Sequence, residues 1–111
     1  MSQIMATTTE STVAVAGVSF HDVWLATVRG LGEVRVLSEA EVLAEAVAHG
    51  GDLVIKSKEA EPIISLVEER VFGGVELADQ SHLGHREKTS LRALADLLWQ
   101  RWVEVQEGAG T

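Results

Sequence analysis

Two short runs constrain this chain more than anything else in it. Thr12-Val-Ala-Val-Ala-Gly-Val18 and Asp52-Leu-Val-Ile-Lys-Ser57 are apolar and rich in β-branched residues, the composition of strands buried on both faces. Two other runs, Glu33-Val-Arg-Val-Leu37 and Gly74-Val-Glu-Leu-Ala78, alternate polar with apolar and read as strands with one wetter face. Helical patterns separate them. Phe20, Val23, Trp24, Leu25 and Val28 share an apolar arc between Ser19 and Gly32, with a start at Ser19 or Asp22 and a stop at Gly30 and Gly32.

The second helix is announced by its cap. Ser38-Glu-Ala-Glu41 has capping-box spacing, Val42, Leu43, Ala46 and Val47 give the apolar side, and His49-Gly50-Gly51 ends it. Pro62 suits the first turn of a third helix, where its missing N–H costs nothing, and Ile63, Ile64, Val67 and Val71 supply the face before Gly73-Gly74. After a polar loop from Asp79 to Lys88, a last helix is capped by Thr89 or Ser90. It carries the stripe Leu91, Leu94, Ala95, Leu98 and Trp102, widened by Leu97 and Trp99.

Four strands alternating with four helices predict an α/β fold, a four-stranded and mainly parallel sheet with helices on both faces. The two apolar strands belong at the centre and the two alternating ones at the edges, which gives the order 2-1-3-4. The 111 residues suit a single domain, predicted over 12–105 between disordered tails at 1–11 and 106–111. The first of these, Met1 to Ser11, is polar and Thr-rich, without the basic and apolar regions of a signal peptide.

Composition removes several functions. With 9 Lys plus Arg against 17 Asp plus Glu, the net charge of -8 repels phosphate backbones and anionic headgroups, so nucleic acid and bare membrane are poor partners. Cysteine is absent, which excludes thiol catalysis and fits a reducing, cytoplasmic setting. No run approaches the length of a membrane span, so any membrane association is expected to be peripheral, through a complex.

In a parallel sheet the loops at the strand carboxyl ends converge, here bringing Ser19, His21, Asp22, Lys56, Ser57, Asp79, Ser81 and His82 into one crevice. The chemistry there is sparse. Asp79-x-x-His82-x-x-His85 offers a carboxylate and two imidazoles at close spacing, but no fourth ligand and no helical frame, and a solvated loop accounts for it. His21 beside Asp22 lacks a nucleophile, and a helix-start role accounts for Asp22. Lys56 and Lys58 could meet an anion or simply be solvated. Gly30-Leu-Gly32 falls at a helix end rather than in a phosphate-cradling loop. No catalytic residue, metal or cofactor is therefore expected.

The aromatic residues say more. Trp99 and Trp102 lie three apart with Val103 and Val105 beyond, more apolar surface than one small sheet hides, and tryptophan is favoured at interface hot spots. Leu94, Leu98, Trp99, Trp102 and Val105 are accordingly the candidate partner-binding residues. Both rings packing on the domain's own flank is the competing expectation.

The chain resembles the small central-stalk subunits of the V/A-type rotary ATPases. The likeness runs from Val13 to Leu98, through Val13-Ala-Val-Ala-Gly17, Leu25-Ala-Thr-Val-Arg-Gly30, Ser38-Glu-Ala-Glu-Val-Leu43, Asp52-Leu-Val-Ile55, Glu61-Pro-Ile-Ile-Ser-Leu-Val-Glu-Glu69, Val75-Glu-Leu77 and Ser90-Leu-Arg-Ala-Leu94. The resemblance implies a βαβαβαβα layout and a non-catalytic central-stalk role. It also implies a last helix docked on a coiled-coil or helical partner, helping to couple ATP turnover to ion transport. Two other readings stay open: an accessory subunit of another complex, and a small-ligand-sensing domain using the crevice with Lys56 and the histidines.

Overall fold

The first apolar run folds back on itself. Ala16 and Gly17 both take positive φ, 52° and 86°, as the central pair of a type I′ hairpin turn requires. Strands β1 (Ala14–Val15) and β2 (Val18–Ser19) therefore pair antiparallel, with Val15 opposite Val18. A computed structural model describes residues 14–78 and 88–109. Within them this hairpin is one of two small ribbons set among helices.

Helix α1 (Phe20–Arg35) opens on a reciprocal cap. The Ser19 hydroxyl accepts the Asp22 N–H at 3.2 Å, and the Asp22 carboxylate accepts the Ser19 N–H at 2.9 Å. The helix then runs straight through Gly30 and Gly32. A Cβ on Gly30 would stand 3.2 Å from Ile63, and one on Gly32 only 2.7 Å from the Leu37 carbonyl oxygen. These glycines are close-approach points, not stops, and the segment predicted as an alternating strand, 33–37, is the last turn of α1 and its cap. The Leu37 N–H returns to the Gly32 carbonyl at 2.7 Å while Val36 sits in the left-handed region at φ 60°.

Helix α2 (Glu39–Ala48) starts on the expected Ser38–Glu41 box, with bonds of 3.1 and 2.8 Å, and ends at Gly50 and Gly51, both at positive φ. Strand β3 (Val54–Lys56) passes directly into α3 (Ser57–Val71). Pro62 thus lies a turn deeper than the first-turn position its missing N–H suits, because Ser57 and Ala60 already belong to the helix. Strand β4 (Lys88–Ser90) leads into α4 (Leu91–Ala109), whose first turn is capped by the Ser90 hydroxyl on the Ala93 N–H.

No four-stranded parallel sheet forms among the described residues. The second ribbon pairs β3 with β4 antiparallel, Val54 opposite Ser90, Ile55 opposite Thr89 and Lys56 opposite Lys88. Residues 74–78, predicted as a strand, are irregular and are held by Glu68 of α3, whose carboxylate accepts the Leu77 and Ala78 N–H groups at 2.7 and 3.0 Å. The hydrophobic demand that a central sheet was expected to meet is met by helices. α1 is the hub, packed on α3, α4 and α2. Leu31, Ile63, Leu91, Leu94, Leu98, Val23, Val28, Val42 and Val67 are fully buried there, with Ile55 as the inward residue of β3.

Candidate functional site

The stripe on α4 divides between core and surface. Leu94 and Leu98 are fully buried, and Trp102 is 8% exposed. The Trp102 indole N–H donates to the Val15 carbonyl at 2.8 Å, and its ring lies 4.7 Å from that of Phe72. These three residues are occupied by the protein's own packing. Trp99 is half-buried, edge-on to Phe20 at 6.3 Å, and Val105, one turn beyond Trp102 on the same stripe, is 38% exposed. Of the five candidates, only Trp99 and Val105 offer surface to another molecule.

The predicted crevice is not assembled, because no parallel sheet gathers its loops. Ser19 and Asp22 are consumed by the cap of α1, so the Asp22 carboxylate serves the Ser19 N–H. His21 is exposed. His49, at the end of α2, has Nδ1 2.8 Å from the Glu45 carbonyl oxygen. Asp79, Ser81, His82 and His85 lie outside the described residues, and among the described ones no cluster of three or more His, Asp or Glu could hold a metal ion.

What the chain does assemble is the outer face of the β3–β4 ribbon. The Leu91 N–H donates to the Leu53 carbonyl at 2.8 Å, which makes that pair hydrogen-bonded and puts Val54–Ser90 and Lys56–Lys88 at the alternate, closer positions. Opposite residues share a face, so Val54, Lys56, Lys88 and Ser90 project together, with Val54 62% exposed. Two hollows lie along this face. One, of about 420 Å³, is lined by Arg35, Glu45, His49, Asp52, Leu53, Val54 and Ser90. The other, of about 280 Å³, is lined by Lys56, Ser57, Lys58 and Lys88.

Arg35 fixes the ribbon to the helices. Its guanidinium forks onto Glu59 at 2.9 and 3.1 Å and donates to the Val54 carbonyl at 3.2 Å. Hydrogen bonding to Arg35 holds the Glu59 carboxyl below its usual range, and Glu59 also accepts the Lys56 N–H at 2.8 Å. Asp52 accepts the Leu53 and Arg92 N–H groups, joining β3 to the start of α4. Sequence reasoning named Lys56, Lys58 and Ser57 but missed Lys88 and Arg35. The available signal was that lysine occurs nowhere in the chain except at 56, 58 and 88.

Comparison with protein-family models, with curated proteins and with solved structures finds no match for this chain.

Proposed function

We propose that this protein is a non-catalytic docking subunit that receives a helical protein partner on the C-terminal end of α4. One observation carries the reading: the stripe that α4 buries through Trp102 continues to Val105, where it is open, and is flanked by the half-buried Trp99. An amphipathic helix meets a helical partner through residues at three and four spacing, and Trp102 to Val105 continues that spacing beyond the protein's own packing. The layout implied by the resemblance to the rotary stalk proteins is replaced by helices and ribbons, so the docking reading rests on α4 and not on that likeness. A cytoplasmic setting, peripheral to a membrane at most, goes with it. No helix among the described residues is long and apolar enough to cross a membrane.

A photo-crosslinking residue placed at Val105 in the native cell tests the reading. A discrete protein adduct at Val105, absent when the same probe replaces the exposed Val47 of α2, is the expected outcome. Adducts that do not distinguish the two positions, or none at Val105, would refute it.

A further inference from the structure

The chain contains three lysines, and the fold brings all of them to one hollow. Lys56 ends β3, Lys58 lies in the first turn of α3, and Lys88 arrives from β4, far along the sequence. This happens in a chain of net charge -8 with 17 acidic residues. The arginines among the described residues are handled differently. Arg29 pairs with Glu39, Arg35 with Glu59, Arg70 with Glu33 and Arg101 with Glu104. Arg92 lies 4.5 Å over the Trp24 ring. Among the described residues, none of the three lysines makes an ion pair and no carboxylate lines their hollow. Glu59, which feels the charge of Lys56, is already committed to Arg35 and to the Lys56 backbone N–H.

The arrangement also opposes folding. Lys56 and Lys88 face each other at a non-hydrogen-bonded position, where side chains approach most closely and like charges repel. A dianion between them would turn that repulsion into attraction. The volume, about 280 Å³, suits an oxyanion with a small organic substituent, and the described residues that line it are three lysines, whose aliphatic stems form part of the wall, and Ser57.

We propose that Lys56, Ser57, Lys58 and Lys88 form a binding site for the phosphate group of a small phosphate monoester. The ammonium groups neutralise the dianion and donate to its oxygens, and Ser57 adds a neutral donor. The site is separate from the docking end of α4 and stands or falls independently of it.

Titration of the full chain with inorganic phosphate and, separately, with glycerol 3-phosphate, at ionic strength held constant with sodium chloride, tests this. Calorimetry gives the affinity, and amide shifts of Lys56, Ser57, Lys58 and Lys88 give the location. Saturable one-site binding is expected, with K56Q and K88Q each weakening it by about tenfold or more, the loss of one charge-assisted hydrogen bond. R29Q should leave binding unchanged. Without ligand, K88Q should melt higher than the parent, because a like-charge pair is gone. That opposite movement of affinity and stability separates a binding lysine from a structural one. Ester binding equal to or tighter than that of inorganic phosphate supports the monoester site, and clearly weaker ester binding assigns the site to free phosphate and overturns the ester reading. Absence of saturable binding, displacement by chloride at equal ionic strength, or affinity unmoved in K56Q and K88Q would overturn the proposal.

Discussion

Replacing Glu68 with alanine removes the acceptor that ties the 73–78 segment to α3. In the folded protein its carboxylate is buried and receives two backbone N–H groups, from Leu77 and Ala78, while Arg101 donates to the Leu77 carbonyl at 3.0 Å from the other side. Truncation leaves the chain two choices. If the segment stays in place, two N–H groups lose their partner in a dry site, at roughly 1 to 3 kcal/mol each. If it swings out to water, the N–H groups are hydrated but the burial of Leu77 is forfeited, about 1.5 to 3 kcal/mol. The cheaper route sets the result, so E68A should lose about 1.5 to 3 kcal/mol, a large share of a typical domain's stability. E68Q keeps an acceptor oxygen and should lose about half as much. Urea denaturation followed by tryptophan fluorescence measures the loss, and hydrogen exchange at the Leu77 and Ala78 amides distinguishes the routes. A loss below about 0.5 kcal/mol in E68A, with both amides still protected, would show that the carboxylate is not the anchor described here.

Two further outcomes follow from the same structure. V36G should raise stability by about 0.5 to 1 kcal/mol, since the left-handed backbone costs an L-residue roughly 1 to 2 kcal/mol and glycine's extra unfolded-state entropy returns only part of that; the Val36 side chain is 88% exposed and gives up little packing, so a lower melting temperature in V36G would contradict the argument. Arg35 depresses the folded-state pKa of Glu59 below its ordinary value of 4.5, so the stability of this pair is fully present above that ordinary value and is lost as pH falls through the folded one. Denaturation across the acid range should show a shallower fall in E59Q than in the parent, and identical acid limbs would exclude the pair as a contributor.

The local signals in the sequence were legible where side chain and backbone interact within a few residues. The capping box at Ser38, the start of α1 at Ser19, one of its two expected starts, the hydroxyl cap at Ser90, one of two expected caps, the glycine stop at Gly50-Gly51 and the buried stripe of α4 follow from spacing. The sheet was misread for three physical reasons. The first apolar run has the composition of one strand, but Ala16-Gly17 in its middle supplies a hairpin turn and so divides it into two short ones. Residues 33–37 alternate over too short a stretch to separate period 2 from the end of a helix. The glycines before them look like a stop, although the tight packing of α1 on Ile63 and Leu37 is what requires them. Finally, β3 finds its partner in a strand far along the chain that is too short to carry any periodicity, and Lys88 entered the hollow only through that pairing. The docking residues were chosen for excess hydrophobicity on α4, and the excess proved smaller because Phe20, Phe72 and the β1–β2 hairpin cover most of it.

The bond from the Trp102 indole to the Val15 carbonyl spans 87 residues and joins the first described strand to the last described helix. During synthesis, then, the hairpin precedes α4 and meets α1 first, but this bond cannot form until Trp102 has left the ribosome. A nascent chain halted before Trp102 would hold that hairpin by its contacts with α1 and without its tie to α4.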